Sequence, residues 1–291
     1  MNDPKSHPAI SDIAHKLNDL TPKARALGSY IIQNPSKVVF MTTKELGTAC
    51  KVSEATVVRF VATMGYSGYA DFQDTLKDFI NTGMSLPDRA DLKGINDRSI
   101  NRLQRGILEE LVNLQYLYEH IDVEIMNRFV EYLEESDHVY VTGARLSYTF
   151  AYYLGWSLTK VRKGVHIVKG SDSTAMDLLV NAPEKSLVIL ATTTRYPNEL
   201  IKLSKMARRC GHTLLALTDS HISPVIPFAN LSLVVPSKSI PFIGNVSGML
   251  AVIQYMVQEL ASRKGEDVKQ YQGQLEQVYL ENDILFNLDP K

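Results

Sequence analysis

The sequence predicts a two-part fold: an all-α N-terminal domain followed by an α/β domain with a doubly wound parallel sheet. Three observations carry this reading. The first eighty residues show only short helical patterns. From His138 onward, short apolar runs alternate with helical ones. Between the two, Thr82-Gly83-Met84-Ser85-Leu86-Pro87-Asp88 is rich in turn formers and has no sustained period. The expected organisation is therefore a helical domain over 1–80, a linker over 81–99 and an α/β domain over 100–291, whose helices at 100–135 bridge the linker and the sheet.

Thr21-Pro22 opens the first well-marked helix, with a hydroxyl at the cap and proline at the first helical position, and Asn34-Pro35 closes it. Thr42-x-x-Glu45 is a capping box, in which the hydroxyl and the carboxylate each accept an otherwise orphaned N–H, and it starts a helix that runs to Cys50. Lys51-Val52-Ser53 turns the chain, and Ser53 caps a second helix with Val57, Phe60, Val61 and Met64 on its apolar face. Gly47 permits close approach of the two helices and Val52 fills the corner between them. Two short helices at a sharp angle make a helix-turn-helix.

The chemistry of this unit suits DNA. On the second helix Glu54, Ala55, Thr56 and Arg59 lie off the apolar stripe, where a recognition helix meets base edges, and Thr43, Lys44 and Ser53 flank them. Between Thr21 and Ala70 the bases Lys23, Arg25, Lys37, Lys44, Lys51 and Arg59 face only Glu45 and Glu54, a field that favours phosphate. A small helical bundle with solvated charges would show the same pattern. The run Val52-Ser53-Glu54-Ala55-Thr56-Val57-Val58-Arg59-Phe60, followed by Met64-Gly65-Tyr66-Ser67-Gly68-Tyr69-Ala70-Asp71-Phe72, resembles the DNA-binding module of the RpiR-type bacterial transcriptional regulators. That family usually has glycine where this chain has Lys51, so Lys51 is expected to tolerate a positive φ.

The helical stripe Leu103, Ile107, Leu111 and Leu114 and a helix capped by Asp122 and carrying Ile125, Phe129 and Leu133 lead into the second domain. Strands are predicted over His138–Thr142, Val165–Val168, Leu187–Ala191, Thr213–Thr218 and Leu231–Val235. Helices fall over Ser147–Lys160, Asp172–Val180, Asn198–Cys210 and Asn245–Leu260. Such sheets bind ligands beyond the carboxyl ends of their strands, where helix N-termini offer free N–H groups.

Three loops at that edge are rich in hydroxyls: Ser147 in the first, Ser171, Ser173 and Thr174 in the second, Thr192, Thr193 and Thr194 in the third. Together they make a cradle for phosphate or carboxylate, although any one of them can instead cap the helix that follows. The arrangement resembles the sugar isomerase (SIS) domain that accompanies the DNA-binding module in the same family, which implies a sensor of a phosphorylated sugar. On this resemblance Ser147 matches the hydroxyl of the first loop, and Thr192, Thr194 and Glu199 match the signature S-x-S-G-x-T-x-E. Arg195 stands where that signature has glycine, Pro197 where it has threonine, and Arg145 replaces a glycine of the first loop. The two guanidiniums either clamp an anion or fill the pocket.

The remaining composition excludes more than it suggests. With 31 basic and 32 acidic residues among 291, the whole chain is no polycation. Cys50 and Cys210 form no C-x-x-C pair, so neither a disulfide framework nor a thiolate metal site is expected, and a reducing cytoplasm fits. Residues 1–20 lack the apolar core of a leader, and Asn245, Gln254, Gln258 and Glu259 interrupt the most apolar late stretch, so membrane association is not expected. Histidine pairs at metal-ligand spacing and the common catalytic motifs are absent, so no metal or cofactor is expected. His138 and His166 read as structural, while Trp156 and the tyrosines 148, 152 and 153 read as core or subunit contact. The expected partners are operator DNA, a small anionic sugar-derived effector and further copies of the chain, as homodimer or homotetramer. A sugar-phosphate isomerase using the same pocket is the alternative, and a second domain that only dimerises is a third reading.

Overall fold

The computed structural model describes residues 8–39, 41–83, 102–170, 172–237 and 244–285. The chain divides into two compact units, Met1–Asn96 and Asp97–Lys291. Most of the expected linker lies outside the described residues.

The first unit is helical: α1 (Pro8–Lys16), α2 (Pro22–Gln33), the single turn α3 (Pro35–Val38), α4 (Thr43–Ala49), α5 (Glu54–Met64) and α6 (Tyr69–Gly83). Leu27, Ile31, Leu46, Val57, Phe60, Phe72 and Leu76 are fully or almost fully buried and form its core. The Gly-Tyr-Ser-Gly-Tyr tail after α5 has a structural role. Gly65 ends α5 at φ 100°, Asp71 accepts from the Ser67 N–H at 2.9 Å, and the Tyr69 hydroxyl donates to the Met41 carbonyl at 2.8 Å. Burial pushes the Tyr69 phenol up to about 12, so this donor keeps its proton.

The second unit begins with α7 (Arg102–His120) and α8 (Val123–Glu135), followed by β1 (Val139–Gly143), α9 (Leu146–Leu158), β2 (Val165–Val168), α10 (Ser173–Val180), β3 (Leu187–Thr192), α11 (Asn198–Arg209), β4 (Thr213–Thr218), β5 (Leu231–Val234), α12 (Val246–Lys264) and α13 (Glu266–Glu281). The five strands pair in the order β2-β1-β3-β4-β5, all in parallel. One apolar layer packs α8, α9 and α12 on Val139, Val141, Ile189 and Leu215. The other packs α10 and α11 on Tyr140, Val188, Leu190 and Leu214. Burial on both faces explains why the strands read as continuous apolar runs rather than alternating ones.

The stripe on α7 is exposed along its first half: Leu103 is 74% exposed, Ile107 52% and Leu111 56%, whereas Leu114 and Leu117 join the apolar layer. One sequence expectation needs correction here. Trp156 and Tyr152 are also about half exposed, so of the two readings offered for them the core one fails. The last helix, α13, buries one side chain, Val268, and is tied down by polar contacts. Tyr271 donates to the Thr159 carbonyl at 3.1 Å, and Lys160 donates to the Tyr279 hydroxyl at 2.6 Å. Among the described residues, no helix is long and apolar enough to cross a membrane.

Candidate functional site

The helix-turn-helix forms as its capping signals dictate. The Thr42 hydroxyl accepts from the Glu45 N–H at 3.2 Å, and the Glu45 carboxylate accepts from the Thr42 N–H at 2.7 Å. The latter bond holds the Glu45 carboxyl below its usual range. The Ser53 hydroxyl accepts from the Thr56 N–H at 3.3 Å to start α5. A Cβ on Gly47 would lie 2.8 Å from the Val52 carbonyl oxygen, so the glycine serves the turn backbone. Lys51 occupies φ 56°, the left-handed region expected of a glycine replacement.

Of the residues expected at the DNA surface, Lys44, Ser53, Glu54, Ala55 and Arg59 are exposed, and Thr43 and Thr56 are partly buried. Arg59 folds back along α5, its Nε donating to the Ala55 carbonyl at 3.2 Å. Thr43 donates to Glu54 at 3.1 Å, joining α4 to α5. The hydroxyls of Ser53 and Thr56 lie 2.9 Å apart and act mainly in capping. Sequence reasoning missed Val58, which is 50% exposed on the same face and offers apolar contact of the kind a thymine methyl uses.

In the second unit the chain leaves β1 toward β2 on one side and reaches β3 on the other, so the crevice between β1 and β3 is the topological switch point. Two loops border it, β1–α9 and β3–α11. Gly143 lets the first turn tightly: a Cβ there would lie 2.6 Å from the Ser147 carbonyl oxygen. The structure brings Ser147 and Thr193 together, both buried. Their hydroxyl oxygens lie 3.0 Å apart, and the Thr193 N–H donates to Ser147 Oγ at 3.0 Å. The pair holds two hydroxyl protons and spends one between them, so one O–H remains to donate to a ligand.

Thr194 is turned elsewhere. Its N–H and hydroxyl both donate to Asp219 Oδ2, at 2.8 and 2.5 Å, and the Tyr196 hydroxyl donates to Oδ1 of the same carboxylate at 3.1 Å. Burial pushes the Asp219 carboxyl above the usual aspartate range, against the pull of these bonds. Asp219 follows β4 and was not among the residues the sequence singled out.

Thr192 ends β3 in register with Thr218 at the end of β4. Both hydroxyls are buried and have no hydrogen-bond partner among the described residues, and strand alternation points them toward the α10 and α11 layer. Asp172, not Ser173 or Thr174, caps α10; Ser173 and Glu199 are exposed, and Ser171 lies outside the described residues. Arg145 at φ 54° and Arg195 at φ 71° both adopt a positive φ, which favours glycine. Both are exposed, and the described residues give neither an ion pair nor a hydrogen bond to its guanidinium. Arg145 caps α9 and Pro197 caps α11, and neither supplies a side-chain cap, so two uncapped helix N-termini flank the crevice.

His138 and His166 face each other at 3.5 Å, with burial lowering the His166 imidazole below its ordinary value. No group of three or more His, Cys, Asp or Glu able to hold a metal occurs among the described residues. At the opposite ends of the strands, a cavity of about 630 Å³ is lined by Asp137, Arg162, Lys163, Lys264, Asp267 and Tyr271 among others. Its charges are mixed, and Arg162 is committed to the Leu133, Ser136 and Asp137 carbonyls.

Residues 8–83 match the helix-turn-helix domain of the rpiR family, and residues 132–259 match the SIS domain. The transcriptional regulator HexR of Pseudomonas aeruginosa is 23% identical over 78% of this chain and 78% of its own. The Vibrio vulnificus NanR protein, solved in complex with ManNAc-6P, superposes with a TM-score of 0.55 at 20% identity, covering 94% of this chain and 98% of its own. The sugar isomerase domain of an RpiR transcription factor from Sphaerobacter thermophilus gives 0.57 at 24% identity, over 61% of this chain and 99% of that one. The chain belongs to the RpiR family of transcriptional regulators, with a helix-turn-helix domain joined to an SIS domain.

Proposed function

We propose that this regulator reads operator DNA with α5 and senses a small anionic sugar derivative, a phosphorylated sugar or sugar acid, in the crevice between β1 and β3. One observation carries the effector half: the Ser147–Thr193 pair leaves a hydroxyl donor between two loops that each display an exposed arginine. The complex of NanR with ManNAc-6P supports a sugar phosphate as the chemical class. The DNA half rests on Lys44, Ala55, Val58 and Arg59 exposed around the N-terminal part of α5. Such a protein works in the cytoplasm, and an effector acts on it only by binding the DNA-competent and DNA-incompetent states unequally.

Assembly as a homodimer or homotetramer belongs to this reading, because one short recognition helix spans too few base pairs to specify an operator and a second copy supplies the other half-site. Support comes from the exposed stripe on α7, where Leu103, Ile107 and Leu111 line a groove of about 620 Å³. An isomerase has no use for a DNA-binding module, whereas residues 8–83 match one.

The test is calorimetric titration of phosphorylated sugars and sugar acids into the full chain, with and without a promoter fragment that it shifts in a gel. The expected result is binding that needs the anionic group and changes strength when DNA is present. A ligand that binds equally in both conditions overturns the sensing role.

A further inference from the structure

Arg195 occupies a backbone conformation at φ 71° that an ordinary L-residue rarely adopts, because its Cβ crowds the following carbonyl oxygen. A residue placed there stays only if its surroundings hold it. The residues that hold it are its two neighbours. Thr194 is bound through N–H and hydroxyl to Asp219 Oδ2, and Tyr196 is bound through its hydroxyl to Oδ1. One carboxylate thus grips the chain on both sides of Arg195, with charge-assisted bonds at 2.5 to 3.1 Å.

We propose that Asp219 is a positioning residue for effector recognition: by bridging Thr194 and Tyr196 it holds Arg195 in a glycine-type conformation, from which the guanidinium reaches the effector's anionic group. This rests on the reading that the effector binds between β1 and β3. The same geometry explains a change of duty within the loop. A hydroxyl and an amide that donate to Asp219 no longer donate to an anion, so Thr194 is withdrawn from the ligand and Arg195 supplies charge in its place. Asp219 is itself unsuited to touch the anion, since two negative groups in contact repel, and three donors already occupy its oxygens.

The consequence is conditional. Glycine adopts a positive φ at no steric cost, so the bridge matters when residue 195 is arginine and becomes dispensable when it is glycine. The experiment is calorimetric titration of inorganic phosphate, glucose 6-phosphate and 6-phosphogluconate into the full chain and into Ser147→Ala, Arg195→Gly, Asp219→Ala, Asp219→Asn and the double variant Arg195→Gly/Asp219→Ala. For the tightest probe, Asp219→Ala should cost about tenfold in affinity, as expected for lost hydrogen bonds to a charged group. Asp219→Asn, which still offers an oxygen to Thr194, should retain most of the wild-type affinity. In the Arg195→Gly background, Asp219→Ala should cost no more than about twofold. If Asp219→Ala is too unstable to measure, Tyr196→Phe, which removes one hydroxyl from the bridge, carries the same comparison in the two backgrounds.

Losses from Asp219→Ala and Arg195→Gly that multiply, or a gain of affinity in Arg195→Gly, overturn the positioning role while leaving the crevice as the site. Binding that ignores both Ser147→Ala and Arg195→Gly, or no binding of any probe, overturns the crevice itself and the positioning role with it.

Discussion

Ser147 and Thr193 are 46 positions apart in the chain, and their hydroxyl oxygens lie 3.0 Å from each other across the point where the sheet's connections diverge. Each loop fixes the other. The Thr193 N–H has Ser147 Oγ as its acceptor, so the β3–α11 loop depends on a side chain from the first turn of α9.

Replacing Ser147 by alanine should therefore do two things. It strands the buried Thr193 N–H, at a cost of about 1–3 kcal/mol in stability, and it removes the paired hydroxyl from the crevice. Denaturant unfolding checks the first effect and anion titration the second. A fully stable variant would mean that water or a loop shift supplies the missing acceptor.

Arg59→Ala should weaken operator binding by about 1–3 kcal/mol if the guanidinium reads a base edge, with the fold unchanged because, among the described residues, the side chain bonds only to the Ala55 carbonyl of its own helix. Fluorescence anisotropy at fixed salt measures the loss. Circular dichroism should show no change.

At Lys51 the backbone itself is the test. Lys51→Gly relieves φ 56° and should stabilise the helical unit by up to about 1 kcal/mol, while removing one positive charge should weaken binding to any DNA sequence and flatten its salt dependence. Gly47→Ala should act oppositely on stability, since its Cβ would press against the Val52 carbonyl at 2.8 Å. Melting temperatures of the three proteins should rank in that order around the wild type.

Burial raises the Asp219 carboxyl above its unfolded value, so the folded state holds this proton more tightly than the unfolded one. The stabilisation linked to that proton is complete below about pH 4, the ordinary aspartate value, and is lost as pH rises through the raised value. Asp219→Asn has no such proton. The stability of the wild type minus that of Asp219→Asn should fall as pH rises from about 4 toward neutrality, read from urea unfolding at a series of pH values.

Ile107→Glu tests the assembly. The residue is 52% exposed on α7, so the substitution should leave the fold intact and shift sedimentation toward the monomer at micromolar concentration. Operator affinity should drop with it, because half-site pairing is lost. A monomeric wild type would remove the premise.

The order of elements was legible because each strand is buried on both faces and each cap is a local event: Thr42 with Glu45, Ser53 with Thr56 and Asp122 with Ile125 all lie within three positions of their partners. Helix–turn–helix spacing follows from the same short range, whereas the positive φ at Lys51 was expected from the family resemblance. What stayed hidden depends on which strands become neighbours. Asp219 meets Thr194 only because β4 lies beside β3, and no local pattern marks a carboxylate after β4 as the partner of a loop after β3. The direction of Thr194 was hidden for the same reason, since a helix-start threonine can face ligand, cap or neighbour alike. Val58 escaped because an apolar residue on an amphipathic helix reads as core, although it is 50% exposed. On α7 the stripe was legible and its exposure was not: a stripe shows that a face is apolar, not that this chain covers it.

The sparse anchoring of α13 bears on how the molecule opens. Whereas α12 buries six residues, Gly248, Met249, Val252, Ile253, Met256 and Leu260, α13 buries Val268 alone. Little free energy separates its docked from its released form, because surface hydrogen bonds contribute only about 0.5–1.5 kcal/mol each. Amide exchange along Glu266–Glu281 should thus proceed through a local opening that leaves the sheet protected, and a protease should nick near Gly265 long before it reaches a strand. The final helix should then melt as a separate segment while the body it leaves stays folded.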